Sequence, residues 1–150
     1  MRIRITKGQG GNRLICTRRN GSFTQSAIGP KLPYHDLAHY AVERELNMTE
    51  GFFGQIAAGR TMEELNDTDF IRTLPPQAWD AEVLARTLQG LANGAVAQSE
   101  FKTIAETELQ RVPKGLTNEA GTRMLATYTQ LLNAWEQVAE GAALELQWPG

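Results

Sequence analysis

His35 and His39 are the chain's only histidines and stand four residues apart in the run His35-Asp36-Leu37-Ala38-His39. In a helix that spacing stacks both imidazoles on one face, one turn apart, within reach of a single divalent ion. Neutral imidazole nitrogens ligate zinc at about 2.0–2.1 Å, so the chemistry this run offers is metal binding, with zinc the candidate ion. A catalytic zinc needs a third protein ligand, and the same helix supplies only Glu43, about 12 Å beyond His35 along the axis. One ion cannot readily bind both His35 and Glu43, but His35 with His39 and His39 with Glu43 are each a feasible pair. The candidate ligands are therefore His35, His39 and Glu43, with Asp36 and Glu43 as candidate catalytic acids. Glu50, Glu63, Glu64 and Asp67 are the nearest other carboxylates in sequence. The same residues admit a second reading, in which Asp36 and Glu43 bond to the histidines and to Arg44 to satisfy polar groups on a core helix.

The elements that must position these side chains follow from hydrophobic period. Tyr34 to Met48 reads as a helix with Tyr34, Leu37, Ala38, Ala41, Val42, Leu46 and Met48 on one broad apolar arc and Asp36, Glu43 and Asn47 opposite. The histidines fall at the border of that arc, where a partly enclosed pocket can form. Before the helix, Arg2–Lys7 alternates apolar and polar residues as a half-buried strand does, and Arg13–Arg19 and Ser22–Ile28 read as a hairpin around Asn20-Gly21. The Gly8–Asn12 run lies between two such strands instead of leading into a helix, so it is a connecting turn and not a phosphate cradle. After the helix come a short apolar turn within residues 50–59, a helix from the N-cap Thr61 to Leu65, and helices over Gln77–Asn93, Ser99–Val112 and Thr117–Glu140. Leu144, Leu146 and Trp148 alternate with Glu145 and Gln147 as a last strand, and that strand needs the N-terminal ones as partners. The expected architecture is one α+β domain over residues 1–150. A small, mostly antiparallel sheet of three N-terminal strands and a C-terminal strand packs against four or five helices.

His35-Asp36-Leu37-Ala38-His39 resembles the His-Glu-x-x-His motif of zinc metallopeptidases over five residues. That resemblance implies zinc at His35 and His39. Asp36 stands where the family has its general-base glutamate, and the missing methylene withdraws the carboxylate by about 1.5 Å from the position proton transfer needs. The longer string from Leu32 to Glu43, with Gly51-Phe52-Phe53-Gly54-Gln55-Ile56-Ala57-Ala58-Gly59, is similar to a segment of a group of small uncharacterised bacterial proteins. It implies a bacterial, cytoplasmic protein in which the histidine helix and the glycine-flanked Phe52-Phe53 pair form one unit.

Composition narrows the classes further. At 41% hydrophobic and 21% charged residues, the chain can bury one core, and no apolar run approaches the ~20 residues of a membrane-spanning helix. The N-terminus shows no secretory signal, and the lone Cys16 fits a reducing compartment, so a soluble cytoplasmic protein is expected. All seven basic residues before His35 stand without an acid, whereas the remainder is acidic. That asymmetry suggests a basic sheet face including Arg2 and Arg4, but no aromatic residues interleave it as stacking platforms, and nucleic acid is not the expected partner. The function expected from these features is that of a non-catalytic binding or accessory protein. Its protein or small-molecule partner, left open, would be met through Arg2, Arg4, Phe52 and Phe53. No cofactor is required by that reading; the alternative is a zinc-dependent hydrolase on the histidine helix.

Overall fold

The computed structural model describes residues 1–149. Strands β1 (Arg2–Thr6), β2 (Asn12–Thr17), β3 (Phe23–Ile28) and β4 (Ala143–Gln147) form one antiparallel sheet in the order β3-β2-β1-β4. The α+β architecture with both chain ends in one sheet is thus as the alternation of Ile3, Ile5, Leu144 and Leu146 predicts. Ile3 lies opposite Cys16 and Leu146, and Ile5 opposite Leu14 and Leu144, so one face of the sheet is a continuous apolar surface. The β2–β3 connection is longer than a two-residue turn. Arg18 N–H donates to Ser22 O (2.8 Å), Gly21 N–H donates to Arg18 O (3.0 Å), and only Gly21 takes positive φ, giving a three-residue loop with glycine at the left-handed position.

Seven α-helices cover the apolar face among the described residues: α1 (Leu32–Glu45), α2 (Phe52–Ala57), α3 (Met62–Leu65), α4 (Thr68–Ile71), α5 (Pro76–Ala92), α6 (Phe101–Glu106) and α7 (Asn118–Gln137). The count exceeds the expected four or five because the short connections coil as well. Thr61 and Glu64 close α3 with a capping box, and Asp67 caps α4 through the N–H groups of Asp69 and Phe70. Helix α6 stops well before Val112. The chain there is drawn to buried Asp80 of α5, whose two carboxylate oxygens accept Gln110 N–H (2.7 Å) and Arg111 N–H (3.1 Å).

Helix α1 is the centre of the helical layer, packed against α5, α7 and α2, and it meets β4 where Tyr40 Oη donates to Gln147 O (2.8 Å). Leu37, Ala38, Ala41 and Val42 are buried, as the apolar arc requires. The opposite face is buried too, and this departs from the wheel: Asp36, His39 and Glu43 are enclosed, Glu43 completely. The helix ends earlier than Met48 in a Schellman turn. Asn47 takes left-handed φ (54°) and Met48 N–H returns to Glu43 O (2.9 Å), which turns the chain back along α1 and brings the start of α2 against Glu43.

Candidate metal centre

The turn after α1 and the packing of α5 on α1 together build the site. His35, His39 and Glu43 follow one face of α1, and Glu82 and Gln89 follow the facing side of α5. His35 Nε2 and His39 Nε2 both meet a single oxygen, Glu82 Oε2, at 3.1 and 2.8 Å. The rings lie edge to face with centroids 4.8 Å apart. Their other nitrogens are engaged as well: His35 Nδ1 with Gln89 Oε1 at 2.9 Å, and His39 Nδ1 with Glu43 Oε2 at 3.0 Å. Glu43 is tied in turn to α2, its carboxylate accepting the N–H groups of Phe52 (2.8 Å), Phe53 (3.0 Å) and Gly54 (3.3 Å). Gly51 leaves the room for this, since a Cβ there would run into the Glu43 carboxyl group.

Donors of His35, His39 and Glu82 lie within 4.8 Å of one another, a group that could hold a metal ion. Tetrahedral zinc, with ligand bonds of ~2.0–2.2 Å, sets its donors about 3.3 Å apart; the two histidine-to-glutamate separations, 3.1 and 2.8 Å, lie close to that value, whereas the group as a whole extends to 4.8 Å and would have to draw together around an ion. Gln89 and Glu43 stand where outer partners of a metal-ligating imidazole stand, and by accepting from Nδ1–H they would leave Nε2 to an ion. The electrostatics agree with a site made for positive charge. Burial alone would lower the His39 pKa, but its hydrogen bonds to Glu43 and Glu82 outweigh this and push it up to about 9. His35 is also raised, chiefly by its hydrogen bond to Glu82. Burial works against ionised Glu82, yet the hydrogen bonds from His35 and His39 prevail and hold its carboxyl well below the usual range.

The structure relocates several residues singled out from the sequence. Glu43 touches His39 but stands behind it, on Nδ1, and so orients a ligand instead of joining the ligand group. The third member of the group that could hold an ion is Glu82, which the reading of neighbouring carboxylates missed. Of those neighbours, Glu64 and Asp67 cap helices, and Glu50 and Glu63 are exposed. Asp36 lines the narrower cavity with His35, His39 and Glu82 but hydrogen-bonds to neither histidine. It is buried, its Oδ2 has no hydrogen-bond partner among the described residues, and burial pushes its pKa up to about 6 despite the nearby histidines. Phe53 cannot belong to an exposed patch, being 1% exposed and packed on Tyr40 and Trp148. Phe52 is half-buried with its ring 5.7 Å from that of His39. Arg44, expected to pair with an acid, donates to Tyr40 Oη and Gln147 O. On the uncovered sheet face Arg2 and Arg4 are exposed, Arg4 paired with Glu145 at 2.6 Å. Arg18 leaves the basic face altogether: its Nε and Nη2 donate to Ile56 O and Arg60 O at the end of α2.

His39, Phe52, Leu65 and Glu82 line two cavities at once. The wider, about 510 Å³, runs past Leu74, Pro75 and Trp79; the narrower, about 230 Å³, lies toward the sheet and includes Ser26, Asp36 and Asn66. No helix is long and apolar enough to cross a membrane among the described residues. In comparisons with known proteins no family model matches the chain, and no curated protein or solved structure matches it either.

Proposed function

We propose that the chain is a metal-dependent hydrolase whose ion, zinc by ligand type, is held by His35 Nε2, His39 Nε2 and Glu82. One observation carries this reading: two imidazoles from successive turns aim Nε2 at the same carboxylate oxygen while both Nδ1 atoms are held from behind by Gln89 and Glu43. Without a metal, and with Gln89 Oε1 accepting from His35 Nδ1–H, hydrogen bonds at all four ring nitrogens place two imidazolium cations side by side. A divalent ion in place of the two Nε2 protons supplies the same charge and leaves both Nδ1–H bonds intact. Two histidines and a glutamate are a ligand set of catalytic zinc, which keeps a further position for water or substrate. A zinc ion so held contributes Lewis acidity toward a carbonyl and acidifies water that reaches it. Hydrolysis then adds water across an acyl C–N or C–O bond, releasing an acid and an amine or alcohol with no other reactant.

The chain's own groups divide the remaining work. Asp36 lines the narrower cavity with Ser26 and Asn66 and puts a buried carboxyl group on the sheet side of the ion, with its Oδ2 unpartnered and closed to solvent. Phe52 and Trp79 line the opposite side, where substrate has room. A binding role through the sheet face is the second reading, favoured by the exposure of Arg2, Arg4 and Phe23 on the face no helix covers. Metal analysis of untagged protein, incubated with zinc and desalted, tests the first. The expected result is one zinc per chain in the native protein and none in His35→Ala with His39→Ala or in Glu82→Ala, together with zinc-dependent cleavage of nitrophenyl esters or anilides lost in the same variants. Absence of zinc from the native protein, or retention by all variants, overturns it.

A further inference from the structure

The wider cleft indicates what the site takes, on the reading that His35, His39 and Glu82 hold an ion. Besides His39 and Glu82, four parts of the chain enclose it: the start of α2, the end of α3, the segment from Ile71 to Trp79, and Gln110. At about 510 Å³ it falls within the ~300–1,000 Å³ of sites that hold one small molecule, and it is too small for a folded partner. Its walls are apolar and partly aromatic, from Phe52, Leu65, Ile71, Leu74 and Trp79. Besides His39, its charged lining consists of two residues of opposite sign, Glu82 and Arg72. Glu82 is committed to the histidines. Arg72 is not committed: its contact with Asp69 is long at 3.8 Å, and the two side chains are 76% and 91% exposed, so the guanidinium is free to turn to another anion at little cost. Gln55 and Gln110 add neutral amides for fixing orientation.

We propose that the cleft takes small amphiphilic anions, with an apolar or aromatic body along Phe52, Leu74 and Trp79, a carboxylate at Arg72, and a hydrolysable carbonyl at the His35–His39–Glu82 end. N-acylated amino acids and short apolar peptides with a free carboxylate have this form. A neutral ester of the same body would leave Arg72 unmatched, and a cationic substrate would meet it with like charge.

Zinc uptake is measured first, and the zinc-loaded protein is then titrated calorimetrically with two probes. Acetohydroxamate carries a metal-binding head alone; the monohydroxamate of benzylsuccinic acid adds a phenyl ring and a carboxylate. The larger probe is expected to bind about 30-fold tighter from ring burial and its charge-assisted bond. Arg72→Gln is expected to remove about tenfold of that gain and to leave acetohydroxamate unchanged. Equal affinity for the two probes, or an Arg72→Gln loss shared by both, overturns the inference. If the protein takes up no zinc, it is the metal reading that fails, and the cleft is then tested on metal-free protein with benzylsuccinate. Quenching of Trp79 fluorescence that needs Arg72 and disappears in Trp79→Phe supports the amphiphilic-anion cleft, and no quenching refutes it.

Discussion

Glu43→Gln changes one atom of a fully buried side chain, and the geometry dictates where the new amide must point. Oε1 accepts Phe53 and Gly54 N–H, whereas Oε2 accepts Phe52 N–H and His39 Nδ1–H. An amide NH₂ at the Oε1 position would leave two backbone donors without an acceptor. At the Oε2 position it orphans Phe52 N–H alone, because His39 can give up its Nδ1 proton, keep the one on Nε2 and accept the amide at Nδ1. One orphaned donor costs about 1–3 kcal/mol, and weakening of the remaining charge-assisted bonds adds ~1 kcal/mol, so the variant should lose about 2–4 kcal/mol. Against a total of ~5–15 kcal/mol it still folds, with its melting temperature down by roughly 5–15 °C. The resulting tautomer has a second consequence: Nε2, which keeps the proton, no longer offers a lone pair to an ion, and zinc affinity should fall by about 10–100-fold or more. Urea unfolding gives the first number and competition with a chromophoric chelator the second, with exposed Glu63→Gln as the control. Unfolding within ~0.5 kcal/mol of the native chain, or unaltered zinc affinity, would refute the reasoning about Glu43.

Two further outcomes follow from the same charges. In metal-free protein the raised His39 pKa contributes stability, on the order of 3 kcal/mol, that is present below about pH 6.5 and lost as pH rises through about 9. The lowered Glu82 pKa contributes stability present above the ordinary glutamate value and lost on acidification below it. Urea midpoints with EDTA should therefore fall between pH 6.5 and 9.5, and zinc should suppress that fall by replacing the Nε2 protons. An identical alkaline loss with and without zinc would contradict this. Cys16, wholly buried and pushed up to about 12 chiefly by desolvation, should react with a thiol reagent only on unfolding, and labelling of the native chain at the rate of a free thiol would disprove that.

The sheet was legible because its signal is local. Ile3 and Ile5 alternate with Arg2 and Arg4, and period two needs no knowledge of the partner strand. Helix α1 was legible for its apolar arc but not for its polar side. A wheel separates hydrophobic from charged residues, and it does not register that the N–H groups of Phe52, Phe53 and Gly54 can accompany a carboxylate into the interior. Glu82 was hidden for a related reason. It comes from a helix more than forty residues away, brought to His35 and His39 by the packing of α5 on α1, and neighbours in sequence such as Glu64 and Asp67 were instead occupied in capping. A signal did exist: Glu82 and Gln89 stand seven apart beside the Ala81, Leu84, Ala85, Leu88 stripe, the polar border a helix presents where it meets another polar border.

The arrangement makes one carboxylate answer to two demands. Glu43 holds the first three N–H groups of α2, and α2 carries Phe52 into the wall of both cavities; Glu43 also fixes the proton of His39 and so determines which nitrogen faces Glu82. Cleft shape and ligand tautomer are therefore set by the same buried group. An isolated histidine pair on an exposed helix would need no such support and would bind metal weakly in many orientations. Here Gly51 gives up a side chain to let the carboxyl in, Asn47 adopts left-handed φ to return the chain, and a six-residue helix too short to persist alone is held at its N-terminus by Glu43. These are local costs in backbone freedom and desolvation that the packing of the apolar core alone would not require. They converge on the two imidazoles, and the proposed ion at their Nε2 atoms would draw on all of them together.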